Sequence, residues 1–147
     1  MMFVFAAIAV NAASFTWAAA NIYGSDLTTK WAGTVTLYCA EVASFSQTAT
    51  ASSGAVSKNA TEFSDASFVA GNDYNFYIVV EDGDYTFTSA YKNVGAQQSD
   101  VANIAFGNMA TQTQNANNWA SSAVPEPTSG LLMLLGMAGL ALRRKRA

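Results

Sequence analysis

Between Tyr74 and Tyr91 the side chains alternate in a way that a β-hairpin satisfies and a helix does not. Tyr74-Asn75-Phe76-Tyr77-Ile78-Val79-Val80 is rich in aromatic and β-branched residues. These favour a pleated strand, where a branched side chain packs well against its neighbours. Glu81-Asp82-Gly83-Asp84 follows, and then Tyr85-Thr86-Phe87-Thr88-Ser89-Ala90-Tyr91. Asp82-Gly83 suits a two-residue type I′ turn, whose twist matches that of the strands it joins. That turn predicts Val80 opposite Tyr85, Ile78 opposite Phe87, Phe76 opposite Ser89 and Tyr74 opposite Tyr91. Because successive side chains point to opposite faces, all eight share one face. The other face pairs Val79 with Thr86 and Tyr77 with Thr88, a more polar set. Turn chemistry and apolar pattern thus agree on one structure.

A lone hairpin is marginal in water, so it needs further strands. Phe15-Thr16-Trp17-Ala18 alternates. So does Thr34-Val35-Thr36-Leu37-Tyr38-Cys39, with Val35, Leu37 and Cys39 on the inner face. Residues 63–69 and 102–106 supply two more candidates. Turn signals stand between them at Tyr23-Gly24-Ser25-Asp26, at Gly71-Asn72-Asp73 and at Gly95. Residues 44–60, rich in Ser, Thr and Ala, read as a long loop or weak helix. The expected fold is mainly β: a small antiparallel β-sandwich-like domain over residues 13–110. A polar linker or final strand follows at 111–123, and then one short C-terminal transmembrane helix.

Charge and chemistry narrow the function. Ahead of Pro125 stand nine acids against Lys30, Lys58 and Lys92, a net charge of −6. An acidic body is repelled by phosphate backbones, so no nucleic-acid partner is expected. The chain has no histidine, and Cys39 is its only cysteine. The commonest general base and metal ligand is therefore missing, and no intramolecular disulfide or cysteine-based zinc site can form. No Gly-rich phosphate loop and no serine-nucleophile elbow occurs. Catalytic, cofactor-binding and metal residues are expected to be absent, and the chain is read as a non-enzyme.

The two ends carry the clearest signals. Phe3 to Val10 is a short apolar run that leads into Asn11-Ala12-Ala13, as in the core and cleavage region of a secretory signal. Residues 1–12 are read as a signal peptide handled by Sec export machinery. Its basic leader, not seen before Phe3, is expected upstream of Met1. Toward the C-terminus, Pro125-Glu126-Pro127 precedes an apolar helix at 128–142 and the basic cluster Arg143, Arg144, Lys145 and Arg146. Thr128 or Ser129 can cap that helix. Its rise is about 22 Å at about 1.5 Å per residue. A bilayer core is about 30 Å thick. The arginines can snorkel, the bilayer can thin, and the cations stay cytoplasmic and stop transfer.

This three-part order over residues 124–147 resembles the PEP-CTERM sorting signal of Gram-negative bacteria. The resemblance implies export, anchoring in the inner membrane and recognition by an exosortase that cuts near Pro125, Glu126 and Pro127. It further implies delivery toward the cell surface or extracellular matrix, with an association to exopolysaccharide and biofilm.

For the body, two roles are expected. The leading one is a structural or interaction protein of the cell surface or matrix. The alternative is a carbohydrate-binding module for exopolysaccharide, with Trp17, Trp31, Tyr38, Tyr77 and Trp119 as candidate sugar-stacking rings. Asp73, Glu81, Asp82 and Asp84 gather near the hairpin without calcium-loop spacing, and acids at turn tips are ordinary. Cys39 is read as a small core residue. Asn59-Ala60-Thr61 matches a glycan-acceptor sequon of low specificity.

Overall fold

The computed structural model describes residues 12–97 and 100–122. In chain order its strands are β1 (Ala12–Ala20), β2 (Thr34–Cys39), β3 (Ser46–Thr50), β4 (Phe63–Val69), β5 (Asp73–Asp82), β6 (Tyr85–Thr88), β7 (Lys92–Gly95), β8 (Ala102–Asn108) and β9 (Trp119–Ser121). One helical turn, α1 (Ala110–Thr113), and two 3₁₀ turns, at Lys58–Ala60 and Ala116–Asn118, complete the described residues. A three-stranded sheet runs β4-β1-β8. A six-stranded sheet runs β3-β2-β5-β6-β9, with β7 pairing β5 as that strand continues past β6. The fold is mainly β, as the sequence leads one to expect.

Strands β1, β2 and β5 bury alternate residues in the core. In β2 these are Val35, Leu37 and Cys39, and in β5 Tyr74, Phe76, Ile78 and Val80. In β1 they are Ala13, Phe15, Trp17 and Ala19. The two sheets face each other across one core. Phe15 of β1 meets Phe76 of β5 edge-on at 5.3 Å, and Phe68 packs edge-on against Phe15, Phe45 and Tyr74 at 5.1, 4.9 and 4.9 Å. Edge-to-face contact suits the ring quadrupoles and adds to the area buried. Trp17 is fully buried, and its indole N–H donates to Gln47 Oε1 at 3.0 Å, so its one side-chain polar atom is satisfied.

The hairpin forms, but its register differs by two residues from the expected one. Val80 pairs with Phe87 and Asp82 with Tyr85. The loop is Gly83-Asp84. Gly83 has a φ of 59° and Asp84 is not in the positive-φ region, which is the requirement of a type II′ turn rather than a type I′ turn. Asp82 is drawn into the strand because its carboxylate accepts from the Ser25 N–H and the Ser25 hydroxyl, both at 2.7 Å. A shift of two keeps every side chain on its face, so the apolar pattern does not detect it. Two expected core residues are nevertheless outside: Tyr85 is 46% exposed and Tyr91 67%.

Tyr91 leaves the core through a bulge. Ser89 exchanges bonds with Ile78: its N–H donates to the Ile78 carbonyl at 2.9 Å, and its hydroxyl accepts from the Ile78 N–H at 3.0 Å. Lys92 is already opposite Phe76. Three steps on one strand thus match two on the other, and the extra residue reverses the facing. Val94, not Tyr91, comes to lie opposite Tyr74.

Other expectations also change. β1 and β8 are parallel, so the sandwich is not wholly antiparallel. The chain crosses the other sheet between them, which leaves room for a long crossover. Residues 44–60 contain β3, with Val35 opposite Ala49 and Leu37 opposite Gln47, so this segment is neither a plain loop nor a helix. It lacks bulky apolar residues, and its alternation is therefore faint. Gly95 ends β7 opposite Asp73 instead of making a turn. Within 111–123, read as a linker or final strand, Trp119–Ser121 is a strand on β6. A helical turn precedes it, and Trp119 is buried against Phe87 at 5.6 Å. The signal peptide, apart from Ala12 in β1, the helix at 128–142 and the basic tail lie outside the described residues. Among the described residues no helix is long and apolar enough to cross a membrane.

Candidate functional site

The outer face of the six-stranded sheet is built by the residues that alternate with the core. From β2 come Thr34, Thr36 and Tyr38. From β3 come Ser46, Thr48 and Thr50. From β5 come Asn75, Tyr77, Val79 and Glu81, and from β6 come Thr86 and Thr88. Register sets them in rows. Thr48, Thr36, Val79 and Thr88 form one row, and Ser46, Tyr38 and Tyr77 form the next. Neighbouring strands lie about 4.8 Å apart and successive rows about 6.6 Å, so the face is a regular array.

Tyr38 and Tyr77 stack at 5.5 Å with an interplanar angle of 20°. Tyr91, turned out by the bulge, meets Tyr77 edge-on at 5.5 Å. The three rings make one continuous row. A polar ladder flanks it: Asn93 Nδ2 donates to Asn75 Oδ1 at 3.1 Å, and Asn75 donates to Glu41 from its side chain at 2.6 Å and its main chain at 2.8 Å. Desolvation opposes the Glu41 charge, but its hydrogen bonds, those from Asn75 foremost and that from Cys39 among them, together outweigh it, and the carboxyl is held below its usual range. Beneath the ladder, Cys39 is buried and donates to Glu41 Oε2 at 3.3 Å; burial pushes its thiol up. A raised, buried thiol is unreactive, which fits the core role expected of it.

The loop between β1 and β2 supplies the other end of the face. Gly54 locks it. The Ile22 N–H donates to the Gly54 carbonyl at 2.9 Å, the Gly54 N–H donates to the Trp31 carbonyl at 2.8 Å, and the Trp31 N–H donates to the Ile22 carbonyl at 3.0 Å. At the tip, Asp26 accepts from the Thr29 hydroxyl and from the main chain of Thr29 and Thr28 at 2.9 and 3.0 Å. These donors, the Thr29 hydroxyl first, lower its pKa to about 2. Lys30 lies 4.2 Å over the Tyr23 ring and donates to Asn21 Oδ1 at 2.5 Å.

Trp31 stands between two clefts. One, of about 480 Å³, is lined by Ser25, Asp26, Lys30, Trp31 and Asp82 among others. The second, of about 400 Å³, is lined by Trp31, Gly33, Thr34, Thr36, Val79 and Glu81 and opens on the sheet face. The Trp31 indole N–H donates to the Thr34 carbonyl at 3.2 Å, which orients the ring. Its six-membered ring lies against Gly33, where a Cβ would come within 2.8 Å.

Of the five aromatic candidates, Trp31, Tyr38 and Tyr77 reach the surface. Trp17 and Trp119 do not: they are 0% and 8% exposed and belong to the core. The sequence reading missed Tyr91 as an outward ring; the break of alternation at Ser89-Ala90 was the available signal. The acids do not converge, since Asp82 is tied to Ser25 while Asp73 ends β5 at the far end of the strand. Among the described residues no group of three or more acidic or cysteine side chains is placed to hold a metal. In the sequon, Thr61 is buried and its hydroxyl donates to the Trp17 carbonyl. Pro125, Glu126, Pro127 and the cluster Arg143, Arg144, Lys145 and Arg146 lie outside the described residues.

No curated protein and no solved structure matches the chain. Comparison with protein-family models does match its C-terminal segment. The chain carries, at residues 123–146, the PEP-CTERM protein-sorting motif, the mark of an exported protein directed to membrane-anchored processing by an exosortase.

Proposed function

We propose that this chain is a structural or interaction protein of the cell surface or exopolysaccharide matrix, and that its β body works by binding or scaffolding rather than by catalysis. The sorting motif carries this reading. The described body reaches the motif: Ser122 donates from its N–H and hydroxyl to the Asp84 carbonyl at 2.6 and 2.7 Å, and the motif begins at residue 123. Processing near Pro125-Glu126-Pro127 would therefore part the membrane anchor from an already folded domain. Export by the Sec machinery, transient residence in the inner membrane and final delivery outside follow from the same reading.

The test replaces Pro125, Glu126 and Pro127 by alanine in the exporting cell and follows mass and location. The altered chain is expected to keep its C-terminal segment and stay in the inner membrane. Unchanged processing and surface delivery would refute the reading. A carbohydrate-binding role is the second reading, and one observation favours it: the row of three tyrosines on an outward sheet face.

A further inference from the structure

We propose that the outer face of the six-stranded sheet, from the Trp31 cleft to the Tyr38–Tyr77–Tyr91 row, is a binding site for an uncharged polysaccharide chain. This deepens the carbohydrate-binding reading above and rests on it. The chemistry of the rows selects the ligand. Aromatic faces pack on apolar surface, and the CH-rich faces of pyranose rings offer it. Hydroxyls of Thr36, Thr48 and Thr88 lie in the row beside the rings, and the carboxamides of Asn75 and Asn93 lie on the other side. These groups both donate and accept, as a sugar's hydroxyls do.

Charge disfavours anionic polymers. These rows hold no Lys or Arg, while Glu41 and Glu81 contribute negative charge. An anionic chain would meet that repulsion along the rows, the nearest cations being Lys30 in the first Trp31 cleft and the exposed Lys92, which takes the alternate position between Tyr91 and Asn93. The ring at the end of the row is turned out at a cost, since Tyr91 stays 67% exposed where an unbulged strand would have placed it inward. The length fits an oligomer. From Thr34, in the Trp31 cleft, to Tyr38 is four residues, about 13 Å at about 3.3 Å each. The pre-set rows need little ordering when a ligand arrives.

The experiment uses the full chain in detergent micelles and affinity gel electrophoresis. The probes are hydroxyethylcellulose and amylose as uncharged chains and alginate as an anionic one. Retardation by at least one uncharged probe, and none by alginate, is expected. Tyr91→Ala and Tyr77→Ala are each expected to weaken binding at least about tenfold, as loss of a central aromatic anchor does. Tyr91→Phe should bind as the parent, and Tyr85→Ala, an exposed tyrosine away from the row, should change nothing. No retardation by either uncharged probe, equal retardation by alginate, or equal losses for Tyr85→Ala and Tyr91→Ala would each overturn the site. Surface delivery of the same chains is read separately by protease shaving of cells. A delivered chain that binds no probe overturns this site and leaves the surface role standing; a parent chain that never reaches the surface overturns that role, whatever the gels show.

Discussion

At Asp26 a single carboxylate organises a loop with no help from burial. Its oxygens hold Thr28 and Thr29, and its pKa falls to about 2. A depressed carboxylate contributes stability that is complete above its unfolded pKa, near 4, and is lost as pH falls through the folded value. Trp31 fluorescence should therefore hold steady from neutral pH down to about 4 and change between about 4 and 2. Asp26→Asn should abolish that transition; an unchanged titration in the variant would show that another group is responsible. Gly54 makes a second residue-scale case. Its φ is 76°, and a Cβ there would lie 2.6 Å from the Ile22 carbonyl oxygen. Gly54→Ala should cost more than about 1 kcal/mol, because strain and clash add. Gly71 has a φ of 90° with open space around it, so Gly71→Ala should cost less, the backbone term alone. Urea melts of the two variants decide this, and equal losses would contradict it. Asp26 beside Thr28 and Thr29 reads in the sequence as turn chemistry. The need for glycine at 54 does not, because Ile22 is brought to it only by the fold.

Among the elements, β9 shows how a short strand can depend on one side chain. It pairs with β6 over Trp119–Ser121, and its hold is the Trp119 ring on Phe87, with the indole N–H donating to the Thr113 carbonyl at 3.0 Å. Trp119→Ala should destabilise the body by about 3–5 kcal/mol, the usual range for removing a buried aromatic. Calorimetry and amide exchange on β6 check this; a loss below about 1 kcal/mol would mean that β9 is not anchored through its ring. A polar stretch around a single tryptophan gives little periodicity, so the strand was legible only as one of two alternatives. β2, read from its alternation, and β4, a candidate segment at 63–69, by contrast have the bounds expected from the sequence. The hairpin lies between these cases. Its strands and inner face were readable, while its register was set by the pull of Ser25 on Asp82 and by the bulge at Ala90-Tyr91, neither of which is local to the turn.

On the scale of the whole molecule, two kinds of information meet at Ser122. The sorting motif is a linear code of a Pro-Glu-Pro, an apolar run and a basic cluster, and a membrane enzyme can read it without a fold. It was therefore legible in full from the sequence and was matched by the family model. The mainly β body was legible too, since alternation reports which residues avoid water. What the alternation cannot report is partnership. Phe15 stands beside Ala102 in a parallel pair, and Tyr38 of β2, Tyr77 of β5 and Tyr91, just ahead of β7, reach one row. By itself the sequence determined the sorting motif of the chain, its strand-rich character and most of its buried face, because these follow from local composition and period. Only the tertiary structure decided that Trp17 and Trp119 are core, that Tyr91 faces out, and that an aromatic row crosses an otherwise hydroxyl-rich sheet. Those outcomes depend on pairing between distant strands and on one inserted residue, and a one-residue step exchanges the two faces of a strand.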